Sequence, residues 1–140
     1  MIYLSIHWEV FDMAAGQTIA HAPRSLGLTE KDGFFLIEVV GEFNYSSVSG
    51  FYRLIQHVLT SRPWLPAVVN LIDVTILDGN GLGALVGGLK KVRPKGGDIC
   101  LIVPPNLRRI FEITGLDRLF YLLETEEEIP QYLENRRRIG

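Results

Sequence analysis

VVNLIDVTILDGNGLGALVGGLKK, residues 68–91, changes its hydrophobic period midway. Ala67–Ile72 is an apolar run interrupted only by Asn70. That is the pattern of a central strand covered on both faces. From Gly81 to Arg93, Leu82, Leu85, Val86 and Leu89 recur at helical spacing. Pro94 and Gly96-Gly97 then stop the helix. The segment is therefore expected to be a strand ending near Ile72, a turn through Asp73–Leu77, and a helix opening at Asp78-Gly79-Asn80-Gly81. A helix start exposes unpaired N–H groups and a partial positive charge. A polar side chain or a phosphate placed there is stabilised.

Working outward toward the N-terminus, Ser46–Arg62 carries Val48, Phe51, Ile55, Val58 and Leu59 on one helical face, with Leu54 at the edge of that stripe. Ser46 or Ser47 is expected to cap it, and Pro63 and Pro66 end it. Before it, Ser25–Thr29 and Phe34–Gly41 flank Glu30-Lys31-Asp32-Gly33, a hairpin signature. Met1–Phe11 alternates as a further strand, and Ala14–Pro23 is small and polar enough for a connector.

Toward the C-terminus, Ile99–Val103 is another buried strand. Pro104-Pro105-Asn106 opens a helix using Leu107, Ile110 and Phe111, closed by Gly115. Leu119–Leu123 is a last strand. Thr125 and Glu128 have capping-box spacing for a final helix. Pro130 falls at the fifth helical position of that frame, so the helix starts later or bends. Alternating helices and strands imply parallel pairing, and the initial hairpin adds antiparallel strands. The expected fold class is α/β, with a mixed sheet of five to six strands and four helices. Residues 1–22 form an N-terminal extension and residues 23–140 the main domain.

Composition narrows the function. A length of 140 residues allows one domain, and 47% hydrophobic with 21% charged residues is globular usage. A net charge of -2 gives no nucleic-acid signature, and Arg136-Arg137-Arg138 is the pattern of a solvated tail. The single Cys100 lies in an apolar run and forms no internal disulfide, which fits a reducing cytoplasm. No apolar stretch is long enough for direct membrane insertion, and the N-terminus lacks the positive leader of a secretory signal.

The candidate chemistries are sparse. Gly79, Gly81 and Ala84 fit the dinucleotide spacing G-x-G-x-x-G/A. That motif wants its loop directly after a strand and an acid near the end of the next strand, whereas Asp98 precedes Ile99–Val103. His7, His21 and His57 have no metal-ligand spacing, and no G-x-S-x-G elbow is present. No metal, cofactor or catalytic residue is expected.

Five motifs, in order, carry a resemblance. Gly41-Glu42-Phe43-Asn44 precedes the first helix, and Asp78-Gly79-Asn80-Gly81-Leu82-Gly83-Ala84-Leu85 opens the second. Gly96-Gly97 precedes the next strand, Thr114-Gly115-Leu116-Asp117 ends a helix, and Glu126–Glu128 provides an acidic start to the last one. Across residues 24–135 the chain resembles the STAS family, the sulfate-transporter and anti-sigma-factor-antagonist domain. The resemblance implies partner switching: the unphosphorylated domain binds an anti-sigma factor or switch serine kinase, and phosphorylation of a serine at the second helix start releases it. The phosphoacceptor-equivalent position here is Asn80, which takes no phosphoryl group.

The expected partner-binding residues are Glu42, Asn44, Ser46, Asp78, Gly79, Asn80, Gly81 and Leu82. The resemblance thus implies a non-catalytic, cytoplasmic regulator that binds a protein and is compatible with a homodimer. The alternative is a scaffold subunit, stressosome-like or transporter-associated, assembled through the N-terminal segment. A plain structural role for Asn80 or Asp78 is a helix N-cap.

Overall fold

Apolar runs pair at the centre of the sheet, and everything else is hung on them. The computed structural model describes the backbone of residues 3–12 and 17–139 and the side chains of residues 25–138. The strands are β1 (Tyr3–Asp12), β2 (Gln17–Glu30), β3 (Phe35–Phe43), β4 (Ala67–Leu77), β5 (Ile99–Ile102) and β6 (Tyr121–Leu123). The helices are α1 (Tyr45–Ser61), α2 (Gly79–Val92), α3 (Pro105–Thr114) and α4 (Ile129–Ile139). The sheet order is β1-β2-β3-β4-β5-β6. The first three strands pair antiparallel, and β3 to β6 pair parallel. The expected mixed sheet and its four helices are therefore present, with six strands.

The two faces are covered unequally. Ile37, Val69 and Leu101 bury one face against Phe51, Leu85 and Phe111 of α1, α2 and α3. Leu36, Val68, Cys100 and Ile102 face the other way, against Ile129 and Tyr132 of α4. Each fully buried large apolar side chain contributes about 1.5–3 kcal/mol of transfer free energy. Beyond Val68 that second face opens: Val40, Ile72 and Ile76 are between 41% and 50% exposed.

Several boundaries differ from the sequence reading. Asp73–Leu77 continues β4 rather than turning. Gly41, Glu42 and Phe43 pair with Val74, Ile76 and Leu77 across two register shifts. Val74 and Leu77 are buried while Asp73, Thr75 and Ile76 are exposed, so this half of the strand is covered on one side only. The cap of α1 is Asn44, not Ser46 or Ser47: its Oδ1 accepts from the Ser46 N–H at 3.1 Å. Leu54 is 1% exposed, so it lies in the core and not at the edge of the stripe.

Of the expected connector Ala14–Pro23, residues 17–23 belong to β2, which runs on through residues 22 and 23, and residues 14–16 lie outside the described residues. Thr125 and Glu128 make no capping box. Glu126–Glu128 is a 3₁₀ turn, and the Glu128 carboxylate accepts from the Glu124 N–H at 2.9 Å. The last helix begins at Ile129. Pro130 then sits in its first turn, where a missing N–H costs nothing. Gly115 closes α3 at φ +76°, a conformation that a Cβ would strain. No helix among the described residues is long and apolar enough to cross a membrane.

Candidate functional site

The carboxyl ends of β3 and β4 each pass into a helix through one residue. Asn44 links Phe43 to α1, and Asp78 links Leu77 to α2. Both are N-caps with extended backbones. The Asp78 Oδ1 accepts from the Gly81 N–H at 2.9 Å, and its carbonyl accepts from the Leu82 N–H at 2.9 Å. Around Asn44 the chain is tied more tightly. Its N–H donates to Ser47 Oγ at 3.3 Å, and Ser47 Oγ donates to the Glu42 carbonyl at 2.9 Å. The Asn44 Nδ2 donates to Glu42 Oε2 at 3.1 Å. Orphan helix donors are thus satisfied by the strand ends that feed them.

One glycine couples the two helix starts. A Cβ on Gly81 would overlap the Phe43 carbonyl oxygen, and would stand 2.8 Å from Leu77 Cδ1 and 3.0 Å from Phe43 Cδ1. The first turn of α2 therefore rests directly on the end of β3, and only glycine permits that approach. Gly81→Ala is expected to lower unfolding stability by about 1–3 kcal/mol, the usual cost of overpacking against fixed neighbours. A urea titration beside Gly79→Ala checks it, because a Cβ at 79 meets nothing within 4 Å. Equal midpoints for the two variants would show that the close approach is not constraining.

The eight expected site residues separate by exposure. Ser46, Gly79 and Asn80 are exposed, while Glu42, Asn44 and Asp78 are half-buried. Gly81 and Leu82 are buried, Leu82 at 8%. Asn80 is the second residue of α2 and not its cap, a role held by Asp78. The surface formed by the first six also includes Tyr45, 78% exposed, and Ile76, which stands in register with Glu42. Neither was expected from the sequence. Tyr45 is the first residue of α1, next to the Asn44 cap, and Ile76 lies in the second half of β4, where the sequence pattern predicts a turn. No Lys or Arg occurs in residues 38–52 or 63–89, so acids alone provide formal charge on these segments.

The fold meets one requirement of the dinucleotide motif and not the other. The glycine loop does follow β4 directly, as that motif requires. Asp98, however, stands before β5, at the opposite end of the strand from the loop. Among the described residues no cluster of three His, Cys, Asp or Glu is arranged to hold a metal ion. His57 is packed edge-on to Phe35 at 6.5 Å, and its Nε2 is buried without a partner.

A cavity of about 780 Å³ lies at the amino end of the parallel strands, between Trp64, Asp98, Tyr121 and α4. The chain itself fills part of that region. Arg136 donates to the Gly96 carbonyl at 2.7 Å and the Trp64 carbonyl at 3.4 Å, and lies 3.7 Å from Asp98 Oδ2.

Comparison with known proteins fits this geometry. The family model of the STAS domain matches residues 25–129. An anti-sigma-B factor antagonist of Staphylococcus aureus is 32% identical over 100 residues, spanning 71% of this chain and 92% of that protein. The crystal structure of an anti-sigma factor antagonist from Mycobacterium paratuberculosis superposes with a TM-score of 0.64 at 26% identity, covering 76% of this chain and 91% of that one. A sulfate transporter family protein from Wolinella succinogenes shares the fold at a TM-score of 0.67 and 15% identity, covering 79% and 92%. From the matched residues and from the two helix starts that they build, the chain belongs to the STAS domain family, as a domain of the anti-sigma-factor-antagonist-like kind.

Proposed function

We propose that the chain is a non-catalytic partner-binding regulator whose phosphorylation switch is absent at the usual position. Its partner is an anti-sigma factor or a switch serine kinase. The contact surface is Glu42, Asn44, Ser46, Asp78, Gly79 and Asn80, and the buried Gly81 and Leu82 set its shape. Residues 23–140 carry this surface and residues 1–22 extend the domain beyond it. The observation that carries the reading is the placement of Asn80: exposed in the first turn of α2, beside the capped start of α1. A phosphoryl group there would bring about -1.5 to -2 charges to the interface, and Asn brings none. The complex is thus held in its binding form with respect to this site.

Asn80→Asp tests it. A carboxylate at 80, beside Asp78, loses its hydration on docking without gaining a counter-charge from its own chain. Affinity capture from native lysate should retain a kinase-like anti-sigma factor on wild-type bait and lose most of it on Asn80→Asp bait. Equal retention by both baits would remove the α2 start from the interface.

One observation favours a second reading, a scaffold subunit of a larger assembly. Strand β1 and most of β2 precede residue 25, where the family match begins. Structural or transport proteins retained equally by both baits would select it.

A further inference from the structure

We infer that the outer edge of β1 pairs with the same edge of a second copy, antiparallel, about a two-fold axis through His7. The inference rests on the sheet edge and not on the partner-binding surface. Strand β1 ends the sheet order, with β2 on one side and no strand of the described chain on the other. Ten residues long, it contains no Pro or Lys, the residues that most often blunt such edges, and its two acids, Glu9 and Asp12, both lie in its second half. Its irregularities are borne by its neighbour. Between His7 and Glu9 the partner strand advances from Ser25 to His21, and between Val10 and Phe11 it advances from Ala20 to Thr18. The extra residues lie on β2, and β1 is continuous strand from Tyr3 to Asp12.

The order of residues in β1 specifies the occupant. Two strands related by a two-fold axis normal to the sheet keep their faces, so opposed residues have the same parity. An axis at His7 sets Leu4 opposite Val10, Ile6 opposite Trp8, Ser5 opposite Glu9 and Tyr3 opposite Phe11. Each apolar residue of that set stands in register with an apolar one, and no like charges fall at opposed positions. An axis at Trp8 would set Leu4 opposite Asp12, and an axis at Ile6 would set Tyr3 opposite Glu9. Only the His7 axis pairs the whole of residues 3–11 with itself. Head-to-tail pairing with the other edge is poor, because β6 has three residues and would leave most of β1 open. In the two-fold arrangement the helix starts at Asn44 and Asp78 stay clear, since β2 separates β1 from β3.

Sedimentation equilibrium of the full chain should give twice the monomer mass. Under mild oxidation His7→Cys should become a disulfide-linked dimer, because directly opposed residues lie within the Cα separation a disulfide spans. Asp12→Cys, far from the axis, should remain uncrosslinked, and the native Cys100 is buried. An equimolar mixture of Tyr3→Cys and Phe11→Cys should cross-link while neither does so alone, and circular dichroism verifies that each variant is folded. A monomeric mass for the unaltered chain overturns the inference whatever the variants do. So does a dimer in which positions 7 and 12 cross-link equally.

Discussion

Phe51→Ala is expected to lower the free energy of unfolding by about 3–5 kcal/mol, the range for removing a fully buried aromatic ring. Phe51 has no exposed surface and packs on Phe43 at 5.4 Å between ring centroids. Its Cε2 lies 3.0 Å from where a Cβ on Gly88 would be. One ring thus fills the space between the end of β3, α1 and α2. The void left by alanine cannot be closed by α2 alone, because Gly81 already seats that helix against the Phe43 carbonyl. A loss of this size is a large share of the ~5–15 kcal/mol that keeps a domain folded. It should appear as a fall in melting temperature of roughly 10 °C or more. Phe51→Leu, which leaves a smaller cavity, should lose clearly less. A loss below about 1 kcal/mol for alanine would mean that the site collapses freely, and that α1 and α2 are not braced through this ring.

The same bracing explains what the sequence could and could not disclose. The apolar run Ile99–Val103, the helical stripe of α2 and the closing glycine of α3 depend on local pattern, and the structure holds them within a residue or two. The second half of β4 was hidden because its outer face is open, so Asp73 and Thr75 imitate turn residues. The early start of β2 was hidden for a related reason: at the sheet border, small residues and Pro23 are compatible with strand or loop. The cap of α1 depended on how far β3 extends, which no local signal states when Asn44, Ser46 and Ser47 are all competent caps. At the proposed site, ordered motifs point to a set of residues, but no local signal states which of them are exposed. Leu82 is buried while Tyr45 and Ile76 are exposed, and the contact that seats α2 joins Gly81 to Phe43, 38 positions apart in the chain.

The face covered by α4 leads to the second large effect, a loss of stability at alkaline pH. Cys100 is fully buried on β5, and burial first, then the negative charges of Asp98 and Glu128, push its thiol pKa well up from an ordinary 9.0. Tyr132 packs on the same cluster, and burial first, then Cys100 and Asp98, push its hydroxyl up from 10.0. Both groups lose protons more readily in the unfolded chain. Above pH 9.0 the unfolded state binds fewer protons than the folded one, so stability falls as pH rises. The contribution is complete below the unfolded values and drains away above them, at about 1.4 kcal/mol per pH unit for each group. The two losses overlap, because Cys100 is itself among the causes that raise Tyr132, and by about pH 11 they amount to a few kcal/mol. Melting temperature measured from pH 8 upward should therefore be level at first and then decline, more steeply once tyrosine titrates. Tyr132→Phe should flatten the upper part. It should also raise stability near neutral pH by about 1 kcal/mol or more, because the Tyr132 hydroxyl is buried without a hydrogen-bond partner. Adding Cys100→Ala should remove most of the remaining slope. An identical alkaline decline in that double variant would assign the effect to other groups and leave α4 without a part in it.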